Sequence, residues 1–120
     1  MTCGAAYPSL MDPVSNTLPW RETIKLQLPN GTADPLEPTE GLVLVLRNRF
    51  DAGVTSLVIQ QSEMDYSTPV RDEISFEVPA TRMRTVPAGS YDLIAFLSEN
   101  GVADAEWIRI GVEIEQGIAL

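Results

Sequence analysis

The sequence predicts an all-β domain, an antiparallel β-sandwich of about seven strands with an irregular N-terminal arm. Three observations carry that expectation. Apolar residues alternate with polar ones at Ile74, Phe76 and Val78 and again at Ile108, Ile110, Val112 and Ile114, whose neighbours Arg109, Gly111, Glu113 and Glu115 take the opposite face. Turn chemistry separates such runs, with Asn30-Gly31, Asp51-Ala52-Gly53 and Asn100-Gly101 each tolerating the backbone angles of a tight reversal. No stretch holds an amphipathic helical period for more than one turn.

Taken in order, residues 1–19 form the arm and residues 20–120 the sandwich. Pro8, Pro13 and Pro19 interrupt the arm, which has no periodicity and is expected to form no strand or helix of any length. Trp20, Ile24, Leu26 and Leu28 alternate with Arg21, Thr23, Lys25 and Gln27, giving a first strand over Trp20–Leu28. Three prolines in the polar stretch that follows forbid a central strand there. Gly41–Phe50 is apolar on both faces before turning polar at Asn48, as a central strand emerging into solvent would be. Val54–Gln61 returns as its partner, and Ser62–Val70 is long enough to cross between sheets.

The segment around Ile74, Phe76 and Val78 is a strand with one wet face, and Pro79–Pro87 a single helical turn or irregular bridge. The stretch from Val86 to Gly117 closes the domain as a hairpin. Six strands follow directly, and the arm or the proline-rich loop can supply a seventh. Short strands at this spacing argue for an immunoglobulin-like sandwich. Its core is expected to join the isoleucine row of the last strand to Leu93, Ala95, Leu97, Ile74, Phe76 and Val78.

Composition bounds the function. A chain of 120 residues is one domain able to bury a core without staples. The net charge of −9, from seventeen acids against eight bases, argues against nucleic acid, whose phosphates are neutralised by Lys and Arg. Arg47/Arg49 and Arg82/Arg84 are each spaced by two, which suits salt bridging from one strand face. No apolar run approaches a membrane span, and no signal peptide is visible, although a leader removed before this sequence begins stays open. Cys3 is read as an unremarkable thiol in the arm, with a lipidated cysteine as the alternative. Asn30-Gly31-Thr32 matches a glycosylation sequon, but an Asn-Gly turn accounts for it.

The search for chemistry returns mainly exclusions. With no histidine, imidazole-based catalysis and metal ligation are absent, and Cys3 has no thiol partner. No glycine-rich phosphate loop occurs, and the acids, including Asp72-Glu73 and Asp104/Glu106, lack the spacing of a calcium loop and read as solvated surface. We therefore expect no enzyme activity, no cofactor and no metal. Trp20, Phe76, Tyr91 and Trp107 can be read as a sugar-binding platform or, more in keeping with a sandwich, as core and interface residues. Trp107 shares a face with Arg109 opposite the isoleucines, so it marks either a contact surface or a nearby bulge. Candidate interaction residues are Tyr7, Leu10, Met11, Val14 and Leu18 of the arm, with Trp107 and Arg109.

The order W-R-E-T-I-K-L-Q-L-P-N-G, L-V-L-V-L-R, I-S-F-E-V-P-A-T, V-P-A-G-S-Y-D-L and I-G-V-E-I-E-Q-G resembles the small immunoglobulin-like structural proteins of tailed bacteriophages and prophages. The resemblance spans Trp20–Ile118 and is one of pattern; the arm departs from it. It implies a virion part assembled in the bacterial cytoplasm, of tail, baseplate, adaptor or head-decoration type. Its implied partners are further copies and other virion proteins, and it carries over no catalytic residue. The competing reading is a secreted or lipid-anchored binding module that recognises protein or carbohydrate.

Overall fold

The alternation that marks single strands in the sequence assembles into two packed sheets. The computed structural model describes residues 11–26, 32–51, 53–99 and 102–117, with backbone alone for 102–105 and 107. Its elements are β1 (Val14–Ser15), β2 (Trp20–Lys25), β3 (Glu40–Asn48), β4 (Thr55–Ile59), β5 (Met64–Tyr66), β6 (Glu73–Val78), α1 (Ala80–Met83), β7 (Gly89–Glu99) and β8 (Val102–Glu115). One sheet runs β1-β8-β7-β3-β4 and the other β2-β6-β5. The result is an immunoglobulin-like sandwich in which every pair is antiparallel except β1 with β8.

The core lies between the sheets and draws on one face of each long strand. Leu42, Leu44 and Leu46 from β3, Leu93 and Ala95 from β7, and Ile108, Ile110, Val112 and Ile114 from β8 meet Trp20, Ile24, Ile74, Phe76 and Val78. All the residues expected to line that core are buried except Leu97, which is half-buried against it. Trp20 meets Phe76 edge-on, ring centroids 5.2 Å apart, a geometry aromatic quadrupoles favour.

The sheets are joined by a short step. Gln61–Glu63 forms a 3-10 turn after β4, and β5 then pairs with β6 in the opposite sheet. Glu63 fixes this crossing: its carboxylate accepts the Gln60 N–H at 2.9 Å and pairs with Arg82, which also donates to the Val58 carbonyl at 2.7 Å. The Gln60 N–H and then Arg82 hold the Glu63 carboxyl below its ordinary range. Arg82 and Arg84 sit in and just after the helical turn, where residues two apart do not share a face as they would on a strand. Beyond that turn, the buried Tyr91 donates its hydroxyl to the Pro87 carbonyl at 2.7 Å, the tyrosine corner of immunoglobulin-like sandwiches.

Strand boundaries shift in informative ways. The first long strand ends at Lys25, and residues 27–31, with the Asn30-Gly31 turn, lie outside the described residues, as does Asn100-Gly101. The β3–β4 reversal is held by the Asn48 side chain, which accepts the N–H groups of Phe50 and Asp51 at 2.9 and 3.1 Å.

Residues 11–19 differ from the expected irregular arm. Val14 and Ser15 pair in parallel with Ile114 and Glu115, and the N–H groups of Met11 and Asn16 donate to the carbonyls of Gly111 and Glu115. Asn16, 4% exposed, donates to the Val86 carbonyl at 2.9 Å and accepts the Gly117 N–H at 3.1 Å. Pro13 and Pro19 do not prevent this, because each stands just before a strand, where a missing N–H removes no ladder bond. Local periodicity has no view of a pairing made one hundred residues away.

Candidate interaction surface

The side chains that period two turns away from the core form a second, outward face on the five-stranded sheet. With Leu44 and Leu46 inward, β3 presents Val43, Val45 and Arg47 outward. By the same rule β7 presents Asp92, Ile94 and Phe96, β4 presents Val58, and β8 presents Arg109 and Glu113. Cross-strand register sets these in rows. Val45 lies between Val58 and Ile94, and Ile94 faces Arg109; Val43 faces Phe96; Arg47 faces Asp92.

Ile94 is fully buried yet stands outside the inter-sheet core. Its cover comes from the outer face itself. The Arg47 guanidinium lies 5.9 Å from the centre of the Phe96 ring, so its side chain crosses the row that holds Ile94. Arg47 Nε is buried there without a hydrogen-bond partner.

An ion-pair network flanks the apolar rows. The Asp92 carboxylate bridges two arginines, Arg49 at 3.3 Å and Arg109 at 3.1 Å. Arg109 also binds Glu106 through two nitrogens, at 2.8 and 3.1 Å, and Arg49 reaches the Tyr91 carbonyl at 3.1 Å. Glu113 accepts the Ser90 hydroxyl at 2.7 Å and lies 3.9 Å from Arg49. The bidentate Arg109 holds the Glu106 carboxyl below its ordinary range, and Glu106 in turn raises Arg109. Both stay charged at neutral pH. Groups so held suit recognition and orientation rather than proton transfer, which works best with a pKa near the operating pH.

Of the candidate interaction residues, only Arg109 is placed on this face with its side chain described. Met11 and Val14 are partly buried against the chain's own core, and Leu18, 60% exposed, lies beside the start of β2. Tyr7 and Leu10 fall outside the described residues, as do Cys3 and the Trp107 side chain. The bulge offered as one explanation of Trp107 is present in the backbone. Ala95 pairs with Ile108 and Phe96 with Glu106, leaving residue 107 as the extra one.

Trp20, Phe76 and Tyr91 form no sugar platform, since none is more than 5% exposed. Among the described residues no three of His, Cys, Asp and Glu are grouped to hold a metal, and no helix is long and apolar enough to cross a membrane.

Val43, Val45, Ile94 and Phe96 lie outside the candidate interaction residues, yet the sequence carries a sign of them. L-V-L-V-L in β3 and L-I-A-F-L in β7 are apolar at every position. In an antiparallel sandwich one face of such a strand fills the core, and the other needs a different use.

No protein-family model matches the chain, and no curated protein matches it significantly.

Proposed function

We propose that this chain is a non-enzymatic structural protein of a tailed-bacteriophage virion, a sandwich module that holds other virion proteins against it. The observation that carries this reading is the outer face of the five-stranded sheet. Its apolar rows, framed by arginines already braced by Asp92 and Glu106, offer a rigid recognition surface. The sequence resemblance supplies the setting: assembly in the bacterial cytoplasm beside tail, baseplate, adaptor or head proteins. A net charge of −9 fits protein partners rather than nucleic acid. Residues 11–19 dock on their own domain, so the sheet offers a contact surface in addition to the arm, whose Tyr7 and Leu10 lie outside the described residues.

The test is to purify particles from the producing bacterium and quantify this chain by mass spectrometry. A fixed number of copies per particle, retained through density-gradient banding, is expected. Recovery only in membranes or medium, with lipid on Cys3, would replace this reading with that of a surface binding module.

A further inference from the structure

We propose that the outer face of the five-stranded sheet is where two copies of this chain pair, sheet against sheet across a two-fold axis. The inference rests on the structural-protein reading and names the surface and one partner.

Charge gives the first argument. Among the residues whose side chains are described, the face carries three arginines, Arg47, Arg49 and Arg109, and four acids, Asp92, Glu106, Glu113 and, at the end of β8, Glu115, a net of only −1; the other five bases and thirteen acids carry the remaining −8. Two molecules of this charge repel one another least when these faces meet. Because each face holds both signs, a two-fold operation can set arginines of one copy against acids of the other, the self-complementarity an isologous interface needs.

The second argument is area. β7 has eleven residues and spans about 35 Å at ~3.4 Å each, while the sheet is ~4.8 Å wide per strand. Allowing for the short β4, β8, β7, β3 and β4 together project roughly 600 Å². Side-chain relief raises that toward the ~800 Å² per partner of a standard interface.

The third is the state of the apolar rows. Val43, Val45, Val58 and Phe96 are only half-buried, and Arg47 Nε lacks an acceptor. A facing sheet at ~10 Å would cover the valines and bring carboxylates within reach of the arginine.

Sedimentation equilibrium of the full chain tests this. The wild type is expected to be a dimer at micromolar concentration. Val45→Glu, which puts a carboxylate in the central row, should weaken association at least ~100-fold while leaving the far-UV circular dichroism unchanged. If that variant fails to fold, Val58→Glu on the edge strand decides in its place. A wild type that stays monomeric at 100-fold higher concentration overturns the proposal, as does a dimer indifferent to the folded variants. Monomeric protein that still enters particles sinks the pairing alone, whereas a dimer absent from particles sinks the virion reading alone.

Discussion

Replacing Asn16 with alanine tests whether the N-terminal segment belongs to the folded domain. The side chain donates to the Val86 carbonyl at 2.9 Å and accepts from the Gly117 N–H at 3.1 Å. Val86 is fully buried, so its carbonyl gains no ready replacement from water, and leaving it unpaired costs ~1–3 kcal/mol. The lost bond to Gly117, which is less buried, adds ~0.5–1.5 kcal/mol. Together they predict destabilisation of about 3 kcal/mol, a fall in Tm of roughly 10 °C for a domain of this size.

Asn16→Asp sharpens the test. Its carboxylate can still accept from Gly117 but faces the Val86 carbonyl with a second acceptor, and its partners Val86, Gln116 and Gly117 are uncharged. Burial without a cation raises the folded pKa of that aspartate above its unfolded value of ~3.9. The penalty is therefore absent below the unfolded pKa, grows as pH rises toward the folded pKa, and is full above it. Urea unfolding of both variants at pH 7 and pH 4 is the assay. The gap between Asn16→Asp and Asn16→Ala should narrow on acidification. A Tm within 2 °C of wild type for Asn16→Ala, or a pH-independent gap, would refute the clamp.

Tyr91→Phe removes only the hydroxyl bond to Pro87 and should cost ~1 kcal/mol by chemical denaturation; no loss would mean that the tyrosine corner is idle. Ile110→Ala, at 1% exposure in the centre of β8, should cost ~2–5 kcal/mol, and an unchanged melting temperature would disprove the assignment of that face to the core. Deletion of residues 2–19 removes β1 and the Asn16 clamp, so the truncated chain should melt well below the full one; equal melting would restore the independent arm. Glu63 and Glu106 have folded pKa values below 4.5, so their contribution is present above that pH and fades as pH falls through the lower folded values. Glu63→Gln should flatten the acid limb of a stability–pH profile, and an unaltered limb counts against its role at the crossing.

Residues whose neighbours along the chain obey one rule were the ones readable in advance. Alternation places β6, the core row of β8 and the sandwich itself, because burial on one face forces period two whatever the partner strand. Pro79–Pro87 held room for the single turn now seen as α1. β5 has only three residues and no period to read, and β1 has two between prolines. Asn16 gives no local sign of burial, since its partners lie 70 and 101 residues away. For the interaction surface, the spacing of Arg47 and Arg49 and the outward Arg109 were visible, whereas the Asp92 bridge depends on the cross-strand register of three strands.

The parallel course of β1 and β8 gives the domain a mechanical polarity. Chain entering β1 comes from the end where β8 begins, and chain leaving β8 departs toward the opposite end. Tension applied across the ends of the domain therefore slides these two strands along each other. The bonds from Met11 to Gly111 and from Asn16 to Glu115, with the Asn16 side-chain clamp, are then strained together rather than broken one after another as in a peeled hairpin. Loaded in this direction, the sandwich resists in shear, and its hold under force is set by the same short segment that precedes its first long strand.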